Sequence, residues 1–166
     1  MSEKPHASNL RKGRISLPGV CYFITTDVDD KSIPIPFAAG AELCIDCLRW
    51  LRDNGRVWRA GYAIMDDHVH FMIVLRGEHT LKRVLDSFKT YTATRINRLL
   101  ERKGKFWQEG YYDHAIRDEP DFWEHLIYMH NNPVRRGRVE RPEDYAYSTA
   151  HPSRAGEIDW EALGYA

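Results

Sequence analysis

The sequence lacks three things that would narrow its class at once. Neither sign of charge is in excess, with 24 Lys and Arg against 24 Asp and Glu, so the whole molecule neither attracts nor repels a polyanion. Cysteines are few. Cys21, Cys44 and Cys47 are an odd number that builds no disulfide framework, and "MSEKPHASNLRKGR" at the start holds no apolar leader, which together predict a reducing, cytoplasmic setting. No apolar run approaches the ~20 residues of a membrane span, so no membrane partner is expected. Cys44 and Cys47 do form a C-x-x-C. On a helical projection they fall with Leu43, Trp50 and Leu51 on an apolar face, and with no second pair to complete a zinc site they read as core.

What is present suits one domain over 1–166, with a core from about 19 to 149 and peripheral tails at 1–18 and 150–166. Hydrophobic residues make up 43% of the chain and there are five tryptophans, enough to bury a real core. Charge is balanced overall but not locally. Between Leu81 and Lys105 eight basic residues face only Asp86 and Glu101, so this stretch is either a polyanion-facing side or a solvated helix face.

"VCYFITTDV" (20–28) is aromatic and β-branched and predicts a strand. Spacings of three and four from about Ala39 to Asp53 predict a helix closed by Asn54 and Gly55. "RVWRAGYAIM" (56–65) and "HVHFMIVL" (68–75), separated by Asp66 and Asp67, predict an antiparallel pair. A longer helix is expected from about Thr80 to Leu100, with Leu81, Leu85, Phe88, Thr92, Ile96 and Leu99 on one side, then a fourth strand near 112–117. Glu119 and Pro120 open a last helix running to Pro133. This order is a split β-α-β arrangement. The expected fold is therefore α+β, a ferredoxin-like four-stranded antiparallel sheet with helices on one face and the other face free for a ligand.

"MDDHVHFMIVL" (65–75) places two histidines at the mouth of an oily run. In a strand, residues i and i+2 share a face, so His68 and His70 point together while Val69 and Phe71 point the other way. Such a pair either shares a cation or is simply two partly exposed imidazoles. In "PDFWEHLIYMHNNP", Phe122, Trp123, Leu126, Ile127 and Met129 form an apolar arc, leaving Tyr128 on the polar side with Glu124, Asn131 and Asn132. A divalent ion at the histidines would orient a phosphodiester and offset its charge, letting the phenol of Tyr128 attack phosphorus. Asn132, one turn beyond Tyr128, offers a third ligand oxygen; it is equally an ordinary residue to end a helix before Pro133.

Three segments, "MDDHVHFMIVL", "KFWQEGYYDHAIRDE" and "YMHNNPVRRGRVERPEDYAYST", together resemble the REP-associated tyrosine transposases, relatives of the single-tyrosine HUH transposases. The likeness runs in order from about Gly19 to Thr149. It implies a ferredoxin-like α/β domain in which His68, His70 and Asn132 are metal ligands, for Mg²⁺ or Mn²⁺, and Tyr128 is the nucleophile. It also implies a bacterial enzyme acting on single-stranded DNA at hairpins of repetitive palindromes, through a 5′-phosphotyrosine and a free 3′-hydroxyl, working as a monomer or a homodimer. The chain departs from the family's usual Pro-Asn at Asp66 and Asp67. Basic residues available for phosphates are Lys82, Lys89, Arg95, Arg98 and Arg102 on the long helix, and Arg135, Arg136 and Arg138 past the last one. Trp107 and Tyr112 are either base-stacking or core residues. The alternative from another class is a non-catalytic single-stranded nucleic-acid binding module, against which stands the absence of an R-G-F-x-F-x-F signature.

Overall fold

The structure, a computed structural model, describes residues 16–165; residues 1–15 of the expected amino-terminal tail lie outside it. Strand β1 (Cys21–Asp27), helix α1 (Ala39–Asp53), strands β2 (Val57–Ile64) and β3 (His68–Leu75), helix α2 (Leu81–Leu99), strand β4 (Tyr112–Ala115) and helix α3 (Glu119–His130) follow in the expected order. A short helix α4 (Asn132–Arg135) and another, α5 (Trp160–Leu163), complete the chain. The strands form one sheet in the order β2-β3-β1-β4, every neighbouring pair antiparallel. That is the ferredoxin-like α+β architecture the element order predicts.

Capping explains where two of the helices begin. The Thr80 hydroxyl accepts from the Arg83 amide ahead of α2, and the Asp118 carboxylate accepts from the Asp121 amide ahead of α3, where Pro120 costs no hydrogen bond. Termination of α3 differs from expectation. Pro133 does not stop the helix but sits in the first turn of α4, and the chain breaks at Asn131 instead. A proline lacks a donor that a first turn would leave unused, so it starts a helix as readily as it ends one.

Helices α1 and α2 pack on one face of the sheet, as expected, against Ile24, Tyr62, Phe71 and Ile73. The opposite face is not free. There α3 brings Phe122, Leu126 and Met129 onto Cys21, Phe23, Ala60, Ala63, Met72 and Val74, with Trp160, Leu163 and Tyr165 from the carboxy-terminal stretch beside them. The expectation of helices on one face alone is corrected by this layer, and the reason is legible in β3, whose eight residues are all buried. A strand covered on both faces carries a continuous apolar run rather than an alternating one.

Residues 145–149 cover the open edge of β2. Tyr147 O accepts from the Ile64 amide, Tyr62 O accepts from the Thr149 amide, and the Tyr145 hydroxyl donates to Ile64 O. An uncovered edge strand would expose a row of unpaired groups. Further on, Glu157 and Asp159 take ion pairs from Arg49, Arg52 and Arg59, tying this stretch to α1 and β2. Cys44 and Cys47 are buried free thiols, and burial pushes the Cys47 thiol up to about 12. Trp50 is exposed rather than core, under the Arg56 guanidinium, and Leu99 is exposed as well. No helix among the described residues is long and apolar enough to cross a membrane.

Candidate active site

The two imidazoles at the mouth of β3 leave it on the α3 side, the same side as Met72 and Val74. Both are buried, His68 at 6% and His70 at 5% exposure. Their Nε2 atoms lie 3.1 Å apart, and His68 Nε2 is also 3.0 Å from Asn132 Oδ1. Two nitrogens and an oxygen thus converge from residues 64 positions apart.

Each ring is aimed by a partner at its other nitrogen. His68 Nδ1 lies 2.6 Å from Asp67 Oδ1, and His70 Nδ1 lies 2.8 Å from the hydroxyl of Thr25, its register partner on β1. Asp67 is itself gripped by Arg136, at 2.8 and 2.7 Å to its two oxygens, and by Lys31 at 3.2 Å. Burial would raise the Asp67 carboxyl, but hydrogen bonds from His68 and Arg136 outweigh it and hold the group well below the usual carboxylate range. Burial, reinforced by the neighbouring His68, Arg135 and Arg136, pushes His70 down to about 3. At neutral pH that ring is uncharged, the state in which imidazole is a ligand.

The break between α3 and α4 decides what each asparagine does. Asn131 takes the capping role, its side-chain amide donating to Ile127 O at 3.0 Å. Asn132 is buried, and its side chain turns in to His68. Tyr128 stays at the surface, 48% exposed, with its ring centroid 5.8 Å from that of His70 and 6.1 Å from that of Phe23. The Arg135 guanidinium covers the phenol ring at 4.1 Å and also donates to Tyr128 O at 3.0 Å. Ile127, beside it, is exposed, so the apolar arc of α3 is narrower than its sequence suggests.

The donor set fits a divalent cation. When the His68 ring is neutral and its Nδ1 donates to the carboxylate, its Nε2 carries a bare lone pair that faces the carbonyl oxygen of Asn132, an acceptor facing an acceptor. Such an arrangement calls for positive charge between the atoms. Ligands about 2.1 Å from one ion at roughly right angles stand about 3 Å from each other, which is the spacing from His68 Nε2 to each of the other two atoms.

The basic residues divide into two groups. Lys82, Lys89, Arg95, Arg98 and Arg102 belong to α2 or its end, on the opposite face of the sheet from the histidines. Several are engaged there: Lys82 with Asp86, Lys89 with the carbonyls of Gln108 and Gly110, Arg95 over the Tyr91 ring, Arg102 with Asn97. Arg135, Arg136 and Arg138 instead flank the site. Arg136 and Arg138 pair with Asp67 and Asp66, the two positions where the chain departs from the family's pattern. Trp107 is buried and donates to the Thr92 hydroxyl, whereas Tyr112 is exposed near Phe23.

Sequence reading passed over Thr25, Phe23 and a histidine pair on the far side of Phe23. His114 Nε2 and His125 Nδ1 approach the two oxygens of buried Asp121 at 2.9 and 3.1 Å, and Arg117 adds a third partner. The three groups have metal-ligand types. Their rings stack in parallel, 4.4 Å apart and 11° from coplanar, so their lone pairs run side by side instead of meeting at one ion. The trio reads as a clasp between β4 and the first turn of α3.

The family described as "Transposase IS200 like" matches residues 47–131, a stretch holding both histidines and Tyr128 and stopping one residue before Asn132. A Haemophilus influenzae relative assigned to the REP-associated tyrosine transposases is 31% identical over 110 residues, covering 58% of this chain and 62% of the relative. The Escherichia coli REP-associated tyrosine transposase is 39% identical over 57 residues, covering 32% of this chain and 34% of the relative. The chain therefore matches less than two thirds of the length of either. Among solved structures, a REP-associated tyrosine transposase bound to a REP hairpin superposes with a TM-score of 0.71 at 20% identity, over 93% of this chain and 86% of that one. That likeness carries the fold.

Proposed function

Because the chain belongs to the family of IS200-like transposases, we propose that it is a metal-dependent enzyme that cleaves and rejoins single-stranded DNA beside hairpins, with Tyr128 as nucleophile. The observation that carries the reading is that His68 Nε2 stands 3.1 Å from His70 Nε2 and 3.0 Å from Asn132 Oδ1, next to an exposed phenol. His68, His70 and Asn132 would hold the ion, Mg²⁺ or Mn²⁺. When bound, it supplies positive charge against the non-bridging oxygens of the scissile phosphate.

The chain's own residues do the rest. The Arg135 guanidinium sits over the Tyr128 ring, 4.1 Å from its centroid, and restrains its direction. The phenolic oxygen then forms a bond to phosphorus as the bond from phosphorus to the 3′ oxygen breaks. The phenolic proton leaves to solvent, and the departing 3′ oxygen takes up another. The resulting 5′-phosphotyrosine retains a phosphodiester's free energy, so attack by a second 3′-hydroxyl reverses the step and rejoins a strand. Exposure of Tyr128 supports this, since a scissile linkage must reach it from outside. A hairpin-bound homologue of the same fold supports hairpin DNA as partner.

The test is a labelled hairpin oligonucleotide with a single-stranded flank, incubated with protein and Mn²⁺ and run under denaturing conditions. The expected result is a slower, denaturant-resistant adduct that EDTA and Tyr128→Phe both abolish. Binding with no adduct under any condition favours a non-catalytic module. Cleavage that persists in Tyr128→Phe assigns the attack to water and overturns the proposal.

A further inference from the structure

We propose that Asp67 is a positioning residue: it fixes the tautomer and aim of His68 and, through Arg136, ties that ligand to the helix segment that carries Asn132. The inference rests on the function proposed above, and it concerns groups that the proposed chemistry does not touch.

An imidazole presents one lone pair, and which nitrogen carries it depends on what the other nitrogen meets. His68 Nδ1 meets a carboxylate oxygen at 2.6 Å. An ionised carboxylate offers only acceptors, so in the neutral ring the proton sits on Nδ1 and the lone pair on Nε2. Nε2 is the atom that faces His70 and Asn132. Were the proton on Nε2 instead, it would occupy the space between the three donor atoms and close the site to a cation. Asp67 thus selects the binding-competent form of the ring before any ion arrives, and the charge it places behind the imidazole strengthens the lone pair in front.

The same carboxylate reaches across the site. Arg136 stands four residues past Asn132 in sequence, and its Nη2 contacts both oxygens of Asp67, at 2.8 and 2.7 Å, while Lys31 takes a further contact at 3.2 Å. The Asp67 side chain is only 16% exposed, which limits competition from water. One anion therefore bonds the β2–β3 turn, which leads into the first ligand, to the far end of α4, the short helix whose first residue is the third ligand. The gap between the β3 histidines and Asn132 spans two separate elements, and this pair bridges the same two elements a second time. His70 needs no such device, because the Thr25 hydroxyl beside it belongs to the same sheet.

The experiment has two arms. A long-range ¹H–¹⁵N spectrum of the metal-free protein reads imidazole tautomers directly. It is expected to show His68 protonated on Nδ1 in the wild type and a mixture of tautomers in Asp67→Ala. Calorimetric titration with Mn²⁺ is expected to show about a tenfold loss of affinity in Asp67→Asn and a larger loss in Asp67→Ala. Arg136→Gln should weaken binding less, and Asp66→Asn should leave it unchanged. The Co²⁺ absorption spectrum of Asp67→Asn should shift, reporting a reoriented ligand that a merely looser fold would not give. Thermal melts identify any variant that has failed to fold, and the wild-type tautomer reading does not depend on variants. If the wild type binds Mn²⁺ and Asp67→Asn binds it equally, with His68 unchanged in tautomer, the inference fails while the proposed function stands. If the wild type binds no divalent ion, the proposed function fails, and the tautomer arm still decides whether Asp67 governs His68.

Discussion

Replacing Gly61 with alanine tests how the two layers of the site are held together. Gly61 lies at the irregularity in β2 where the pairing with β3 shifts register after Arg59, and its φ is +143°, a backbone conformation that L residues rarely adopt. A Cβ there would lie 2.8 Å from Met129 Cε, 2.9 Å from Leu126 Cδ1 and 3.2 Å from Thr149 Oγ1. Backbone strain at such a position costs about 1–2 kcal/mol. Overpacking adds about 1–3 kcal/mol, near the lower end here because the methionine end can swing aside. The sum is about 3 kcal/mol, and relief comes by lifting α3, which also carries Tyr128 and leads into Asn132. Gly55→Ala is the control: its φ is +70° but its Cβ would meet nothing within 4 Å, so it carries strain alone. Urea midpoints should fall for both variants, and further for Gly61→Ala by the steric share. Only Gly61→Ala should also weaken Mn²⁺ binding. A Gly61→Ala midpoint no lower than that of Gly55→Ala would refute the close approach of α3 to β2 as the element that sets the site.

Three other outcomes follow from the geometry. Burial holds His130 down to about 4, against about 6.5 in an unfolded chain. Between those values the unfolded state binds the extra proton, so stability is full above pH 6.5 and falls as pH drops toward 4, by a few kcal/mol at most (roughly). His130→Gln should flatten that part of a plot of urea midpoint against pH, and an unchanged slope would place the titration elsewhere. Trp107→Phe removes the bond to the Thr92 hydroxyl, 2.9 Å long, and should cost about 1–2 kcal/mol in unfolding with no change in oligonucleotide affinity; a loss of affinity with stability intact would return Trp107 to base stacking. Arg135→Gln gives up a ring contact of about 0.5–1 kcal/mol, so adduct formation should slow roughly two- to fivefold while Mn²⁺ affinity holds.

The strands and long helices were legible because each carries its own period. "HVHFMIVL" marks β3 from His68 to Leu75 without error, and the face shared by His68 and His70 follows from strand geometry alone. The unbroken apolar run of β3 marks cover on both faces, yet the run alone does not say what covers the second one. The clue was in β2, where Ala60, Gly61 and Ala63 are the small residues that let a helix approach, yet small residues also occur in strands for other reasons. Thr25 was invisible for a different cause: its closeness to His70 is a matter of register between β1 and β3, and register is a tertiary fact. Asp66 and Asp67 were noticed only as a departure from a pattern, because the arginines that answer them lie about 70 residues away.

The break at Asn131 shows why helical spacing alone misjudges this site. In a continuous helix Tyr128 and Asn132 would stand one turn apart on one face, equally exposed or equally buried. They are not: the tyrosine is half-exposed and the asparagine almost wholly buried. Asn131 ends α3 through its own side chain, the chain turns, and Pro133 starts α4 with Asn132 pointed inward. That turn separates two requirements a single helix face cannot meet together. A ligand oxygen must sit in the dry space beside the imidazoles, where charge interactions are strong, and a nucleophile must stand where a strand of DNA can reach it. The dipeptide Asn131-Asn132 before Pro133 supplies one residue to cap and one to ligate, so exchanging their roles should be impossible. Asn131→Ala should shift helix stability by about 1 kcal/mol and leave Mn²⁺ affinity close to that of the wild type. Asn132→Ala should do the reverse, and equal losses of Mn²⁺ binding in both variants would show that the break does not divide the two functions.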